Sequence, residues 1–302
     1  MEQRKRVVID TDIGDDVDDA LAIAMAIKSR KLQVAGITTM GKYASNRAVL
    51  AQKVLEVCDA AFIPVYAGIE TPIVKHMEEN EDELPCLCGK LESDYVKSEM
   101  HAVNFLVQTL QENPDTTILA LGPLMNLAAA ALIAPEVMKG TNIVIMGGAF
   151  ESHYQEWNIY SDPEAAAIVL RSGANIKMVG LDVTTKCILE ESDLKRLRES
   201  PGEDTRYLSS LIETYRHITG NGIMLHDPLV IGEMLDSELL KYSAVRAEVE
   251  LRGEFTRGSL IVEKNYFGEE EKIPNIEAAV EVDRKAFTEL FMDIICDEYS
   301  IA

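Results

Sequence analysis

The chain has 302 residues, with 51 acidic against 29 basic side chains, a formal charge of −22 and a pI near 4.6. That acidic excess excludes the phosphate backbone of nucleic acid and anionic membrane surfaces as partners. With 47% apolar residues and no apolar run near the roughly 18 residues of a membrane span, one α/β domain over residues 1–302 with a sizeable core is expected.

The first six residues lead into a short strand rather than a signal peptide, so the protein is expected in the cytoplasm. The five cysteines are an odd, scattered set. Cys86-x-Cys88 has no second pair to complete a zinc site, so reduced structural thiols are expected.

The rest is organised around residues 7–20. Val7-Val8-Ile9 runs directly into six aspartates within ten positions, Asp10, Asp12, Asp15, Asp16, Asp18 and Asp19, with Gly14 among them. The apolar stretch 21–27 follows at once, so the local order is buried strand, turn, helix. In an open α/β sheet such a turn lies at the carboxyl end of the strand, where ligands bind. Two carboxylates about 4 Å apart repel by ~4 kcal/mol at an effective dielectric near 20, and no Lys or Arg lies between Arg6 and Lys28. A hard, oxygen-coordinated cation, Ca2+ or Mg2+, resolves the cluster economically. Helix capping and the helix dipole account for one or two of these aspartates. They do not account for Asp10 and Asp12, which leave the strand. An EF-hand loop starting at Asp10 fails, because Gly14 and Leu21 stand where it needs ligands. A phosphohydrolase with a strand-borne Asp-x-Asp remains an alternative, although Gly14 stands where such enzymes usually carry Thr.

Further along, residues 32–39 read as a strand leading to Gly41-Lys42, and 44–58 as a helix in which Asn46 is a candidate polar contact. Residues 62–67 give a third strand. The acidic stretch 76–94 breaks the rhythm; it reads as solvated loop, with an active-site flap as the alternative. A helix over 98–112 and a strand over 116–121 lead to Leu121-Gly122-Pro123-Leu124-Met125-Asn126-Leu127-Ala128. The strand 142–145 ends in Gly147-Gly148, which permits close approach of a ligand to the backbone. Next comes Glu156-Trp157-Asn158, followed by Asp162-Pro163, a helix start. A strand over 176–181 and a mostly helical 194–219 precede His226-Asp227-Pro228-Leu229. Alternating residues in 241–283 predict antiparallel strands, and 287–295 a terminal amphipathic helix.

Four of these stretches, in this order and each following a predicted strand or helix, resemble the motifs of the inosine-uridine-preferring nucleoside hydrolase family. They are Asp10-Thr11-Asp12-Ile13-Gly14 with Asp18-Asp19-Ala20, Leu121 to Ala128, Glu156-Trp157-Asn158, and His226 to Leu229. The departures are specific. Ile13 replaces a proline, and three residues rather than one separate Gly14 from the Asp18-Asp19 pair. Lys42 stands where an asparagine is usual, and the segment between Phe150 and Glu156 is short and lacks the usual contact to the sugar 5′-hydroxyl.

The resemblance implies a single open, mostly parallel sheet flanked by helices, Rossmann-like, with antiparallel strands toward the C-terminus. It also implies hydrolysis of the N-glycosidic bond of a ribonucleoside to ribose and free base, in nucleoside salvage. By residue it assigns a Ca2+ ion to Asp12, Asp19, Asp227 and the carbonyl of Met125. Asp12 is then the general base on water and His226 the acid near the leaving base, with Tyr215 and His217 as secondary candidates. Asp18, Glu156 and Asn158 orient the ribose, Trp157 packs beside the sugar or in the core, and Asp10 supports the loop from behind. A small-molecule riboside is the expected partner, and a homodimer or homotetramer the expected assembly. Two alternatives remain beside the phosphohydrolase: an N-ribohydrolase acting on nucleoside 5′-monophosphates, and a non-catalytic riboside- or Ca2+-binding protein.

Overall fold

The computed structural model describes residues 4–75, 85–88, 98–263 and 272–296. Most of the acidic stretch read as loop or flap, including the run 78–83, His76 and Gly89, lies outside these residues.

The first unit is β1 (Lys5–Thr11), α1 (Asp18–Lys28), β2 (Leu32–Thr39), α2 (Ala44–Val57) and β3 (Val65–Ala67). The second is α3 (Ala102–Glu112), β4 (Thr117–Ala120), α4 (Met125–Ile133), α5 (Pro135–Met138), β5 (Asn142–Met146), α6 (Trp157–Ser161), α7 (Pro163–Leu170) and β6 (Asn175–Val179). Then come α8 (Leu181–Thr184), β7 (Ile188–Leu189), α9 (Glu191–Glu199), α10 (Glu203–Thr219), β8 (Ile223–Met224) and α11 (His226–Leu235). The chain continues through β9 (Leu240–Val249), β10 (Leu260–Glu263), β11 (Ile276–Val282) and α12 (Arg284–Ile295).

Nine strands form one sheet in the order β10-β9-β11-β6-β5-β4-β1-β2-β3. Neighbours from β3 across to β11 run parallel, while β9 is antiparallel to both β11 and β10. The antiparallel expectation for 241–283 therefore holds for β9 with its two neighbours, and β11 in addition pairs parallel with β6. Strand β1 is covered on both faces. Val7 and Ile9 join a core with α1, α2, α10 and α12, and Val8 joins a second core with α3, α4 and α7. Burial on both faces is why β1 is a continuous apolar run rather than an alternating one.

Three boundaries differ from the sequence reading for identifiable reasons. Strand β3 starts at Val65 because Pro64 offers only its carbonyl, which accepts from Ile37 N at 2.9 Å, and Phe62 is left exposed. Helix α3 starts at Ala102, where the His101 side chain caps it. The helical region 194–219 is broken into α9 and α10 at Pro201-Gly202, since proline cannot continue a helix ladder. The short β7–β8 ribbon carries no sequence signal; it pairs Ile188 with Met224 and Leu189 with Ile223.

Candidate active site

The strand order reverses between β1 and β4, because the chain moves outward from β1 to β2 and β3 and then returns to β4 on the other side. The crevice beyond the carboxyl ends of such a strand pair is the usual ligand site of an open α/β sheet. Both aspartates of Asp10-x-Asp12 emerge there, and Leu121 N donates to the Asp10 carbonyl at 2.7 Å. The approach is close. A Cβ on Gly122 would lie 2.7 Å from Asp12 Oδ1 and 2.8 Å from Asp12 N, so the Gly-Pro turn is required by the neighbouring carboxylate.

Three carboxylates converge on this crevice. Ligand-capable oxygens of Asp18, Asp19 and Asp227 all lie within 4.8 Å of one another. Asp18 and Asp19 open α1, and Asp227 sits in the first turn of α11. Helix α1 has no side-chain cap, so capping does not explain its acidic start. Asp18 Oδ2 accepts from Asp227 N at 3.1 Å, and Asp19 accepts from the Thr11 hydroxyl. Burial pushes all three carboxyls well above the usual range, and neighbouring carboxylates add to it, Asp16 at Asp18, Asp18 at Asp19, and both Asp18 and Asp19 at Asp227. Asp12 contributes to that repulsion at each of them. Three buried carboxylates resist ionising together unless a positive charge joins them. The all-oxygen donor set fits a hard divalent cation.

Asp12 is itself raised to about 7 by burial, opposed by Arg47 and reinforced by Asp15 and Glu156. Arg47 was not singled out in the sequence, which shows no cation within the aspartate run. The cation arrives from α2. Arg47 is buried; it donates to the carbonyls of Asp12, Ile13 (3.1 Å) and Lys42 (3.0 Å), and to Asp15 Oδ2 at 2.6 Å. It thus stitches the loop backbone and neutralises Asp15, leaving the Asp18, Asp19 and Asp227 cluster without an ion pair of its own among the described residues. Asp10 lies behind the loop: its Oδ1 accepts from Thr38 at 2.5 Å and Asn126 at 2.9 Å, and burial raises its pKa to about 7. Asn126 also donates to Thr39 O and accepts from Ile69 N, which ties the start of α4 to the end of β2 and to the loop that follows β3. Met125 is the residue that opens α4 beside this network.

Cys86 and Cys88 also meet the loop. Cys86 Sγ donates to Asp15 O at 3.2 Å, and Leu87 N to Gly14 O at 2.9 Å. Gly14 has φ +131, and a Cβ there would lie 2.5 Å from Cys88 Sγ. The turn therefore demands glycine on both counts.

Glu156 and Asn158 stand at the end of β5. Glu156 caps α6, accepting from Gly148 N (3.0 Å), Asn158 N (2.8 Å) and Ile159 N (3.1 Å). Burial raises its pKa against these three donors. Asn158 donates to Leu121 O at 2.8 Å and Met146 O at 3.2 Å, joining the ends of β4 and β5. Trp157, between them, is 56% exposed, which rules out the core-packing reading. His153 and Tyr154 are exposed, as is Asn46.

On the remaining side, His226 Nδ1 and Thr184 Oγ1 lie 2.7 Å apart. Burial lowers the His226 pKa, and Asp16 opposes that shift. The Tyr215 hydroxyl donates to Asp16 Oδ2 at 2.9 Å, while His217 points to solvent. Neither Asp16 nor Thr184 belongs to a recognisable motif; both act on partners far away in sequence.

An acidic, all-oxygen cradle at the switch point of a Rossmann-ordered sheet, flanked by buried polar groups, marks an α/β protein whose crevice suits a divalent cation and a small polar ligand. The family model for inosine-uridine preferring nucleoside hydrolase matches residues 7–289. The chain is 34% identical over 321 residues to a probable uridine nucleosidase 2 of Arabidopsis thaliana, covering 96% of this chain and 97% of that one. It is 32% identical to a pyrimidine-specific ribonucleoside hydrolase of Salmonella arizonae, covering 95% and 97%. Among solved structures, a plant nucleoside hydrolase matches with TM-score 0.83 at 30% identity, covering 97% and 99%. A purine-preferring ribonucleoside hydrolase from Gardnerella vaginalis matches with TM-score 0.85 at 29% identity, covering 97% and 98%. The chain belongs to the inosine-uridine preferring nucleoside hydrolase family. It is a glycosidase that hydrolyses the N-glycosidic bond of a ribonucleoside, and the phosphohydrolase and binding-protein alternatives fall away. No described helix is long and apolar enough to cross a membrane.

Proposed function

We propose that the chain hydrolyses ribonucleosides with Asp12 as general base, His226 as the acid beside the leaving base, and Ca2+ as its cation. Asp19, Asp227, Asp12 and the Met125 carbonyl would hold the ion, with Asp18 beside it. The observation that carries this reading is the convergence of Asp18, Asp19 and Asp227, a group that does not itself include Asp12 but whose three carboxyls all feel its charge. When bound, Ca2+ supplies the positive charge that lowers the pKa of water and attracts the sugar 2′- and 3′-hydroxyls.

The remaining work falls to side chains. Asp12 takes one proton from water as the water oxygen bonds to the anomeric carbon. The electrons of the breaking C–N bond pass to the base, which takes a proton from His226, giving ribose and free base. Positive charge developing on the sugar is stabilised by the buried carboxylates around it. Asp18, Glu156 and Asn158 orient the ribose. Glu156 and Asn158 are held by several fixed bonds each, so they are pre-set for that task. Trp157 covers the sugar from the solvent side, and Asp10 braces the loop through Thr38 and Asn126. Free cysteines support a cytoplasmic setting, and the family resemblance supports one domain over 1–302 assembling as a homodimer or homotetramer.

The relatives' names include both pyrimidine and purine preferences, so the base is decided by assay. The test is reducing-sugar release from uridine, cytidine, inosine, guanosine and adenosine and from their 5′-monophosphates. Ribose release from the nucleosides is expected. Ribose 5-phosphate from the monophosphates alone would keep the chemistry and overturn the substrate assignment.

A further inference from the structure

The three residues between Gly14 and the Asp18-Asp19 pair give the metal loop an excursion whose carboxylates are not needed for the cation. Asp15 is accounted for by Arg47. Asp16 lies near enough to Asp18 to raise its pKa, but its own hydrogen bonds go elsewhere. Its Oδ1 accepts from Val17 N at 2.6 Å, which fixes the carboxylate plane, and its Oδ2 accepts from the buried Tyr215 hydroxyl of α10. It also interacts electrostatically with His226 of α11. The His226 ring is fixed from its other side by Thr184 of α8. The β7–β8 ribbon brings α8 and α11 together, with Leu225 N donating to Cys187 O at 2.8 Å. Four side chains from four separate elements thus form two hydrogen-bonded pairs at the edge of the cation cradle, Asp16 with Tyr215 and Thr184 with His226.

We propose that Asp16 and Thr184 are positioning residues for the leaving-base side of the site, Asp16 holding the Tyr215 hydroxyl and Thr184 holding the His226 ring so that both face the departing base. This rests on the reading that His226 faces that base. A carboxylate that accepts from a phenol fixes where the phenol oxygen sits, and a hydroxyl on one imidazole nitrogen fixes the ring plane and the direction of the other nitrogen. Neither residue needs to touch the sugar or the cation. Their loss is therefore felt only when the leaving group needs help to depart.

That distinction supplies the test. Purine and pyrimidine bases leave with a proton, whereas p-nitrophenolate leaves readily without one. Steady-state rates on uridine, inosine and p-nitrophenyl riboside are measured for Asp16→Asn, Tyr215→Phe, Thr184→Val and His226→Ala, with Ca2+ affinity determined by calorimetry. Asp16→Asn, Tyr215→Phe and Thr184→Val are each expected to lower kcat on the nucleosides by ~10-fold or more while nitrophenyl riboside rate and Ca2+ affinity stay within ~3-fold. Adding Thr184→Val to His226→Ala, or Asp16→Asn to Tyr215→Phe, is expected to cost little further. Equal loss on both kinds of substrate, or no loss on nucleosides, would overturn the proposal. Tyr215→Phe removes the same hydrogen bond from the partner's side, so a folding defect in Asp16→Asn does not decide the matter. If His226→Ala slows nucleosides selectively and Asp16→Asn does not, the positioning role alone fails. If His226→Ala slows both substrates equally, the leaving-base reading fails and takes the proposal with it.

Discussion

The halves of the site that we assign to the sugar and to the base are built on different principles. Asp10, Asp12, Asp18, Asp19, Glu156, Asn158 and Asp227 are all buried, and each belongs to a strand end or a helix start. Most are held by backbone donors or by side chains that also bind backbone. The half we assign to the base consists of two hydrogen-bonded pairs, Asp16 with Tyr215 and Thr184 with His226, drawn from three helices and a loop. A rigid backbone frame serves chemistry that is the same for every ribonucleoside. A side-chain network can be re-cut residue by residue without moving a strand, and that suits the part of the site that distinguishes one base from another.

Substitutions that break the sugar-facing half are expected to cost most. Asp12→Asn keeps an oxygen near the cation but removes the proton acceptor. It is expected to lower kcat by ~100-fold or more with little change in KM, measured by ribose release at saturating substrate. Asp227→Ala takes one of three converging carboxylates from the cradle. Its Ca2+ Kd should rise by at least ~10-fold, and the calcium-dependent gain in melting temperature expected of the parent protein should vanish. A melting curve that still responds fully to Ca2+ would place the ion elsewhere.

Arg47→Met tests the frame rather than the chemistry. It leaves three loop carbonyls without their donor and Asp15 without its partner. A loss of ~3 kcal/mol of unfolding free energy is expected from the charge-assisted bonds to buried acceptors, read by urea denaturation. Weaker Ca2+ binding is expected with it. Stability within ~0.5 kcal/mol of the parent would show that the loop holds itself without the guanidinium. The smallest effect is assigned to Trp157→Ala. An exposed side chain contributes little to stability, so a change within ~0.5 kcal/mol is expected, with a rise of a few-fold in nucleoside KM. An unchanged KM would remove Trp157 from the sugar side.

The same division decides what could be read from the sequence. Strands β1, β2, β4 and β5 are legible as apolar runs, and the strand-end motifs follow them directly, so the sugar-facing residues announce themselves by local order. The α/β class follows from the strand–helix alternation, and the open, mostly parallel sheet from the family resemblance. Arg47 is invisible because its four bonds all reach back to earlier loop segments, up to 35 residues away, and nothing near it marks a buried cation. The absence of basic residues inside the aspartate run was a true local statement with a false spatial implication. Asp16 meets Tyr215 across 199 positions and His226 meets Thr184 across 42, with no periodicity or spacing to foretell either. The two-residue strands β7 and β8 are too short to carry an alternating pattern, yet they set the distance between α8 and α11.

The most direct test of the central claim is to strip the protein with a calcium chelator, titrate Ca2+ back and follow ribose release from a hydrolysed nucleoside, with binding measured in parallel. The account predicts that activity disappears on chelation and returns in proportion to the Ca2+ bound. It also predicts that Asp12→Asn still binds the ion while releasing no measurable ribose. Ribose release that persists in the stripped protein, or an Asp12→Asn variant as active as the parent, would contradict it.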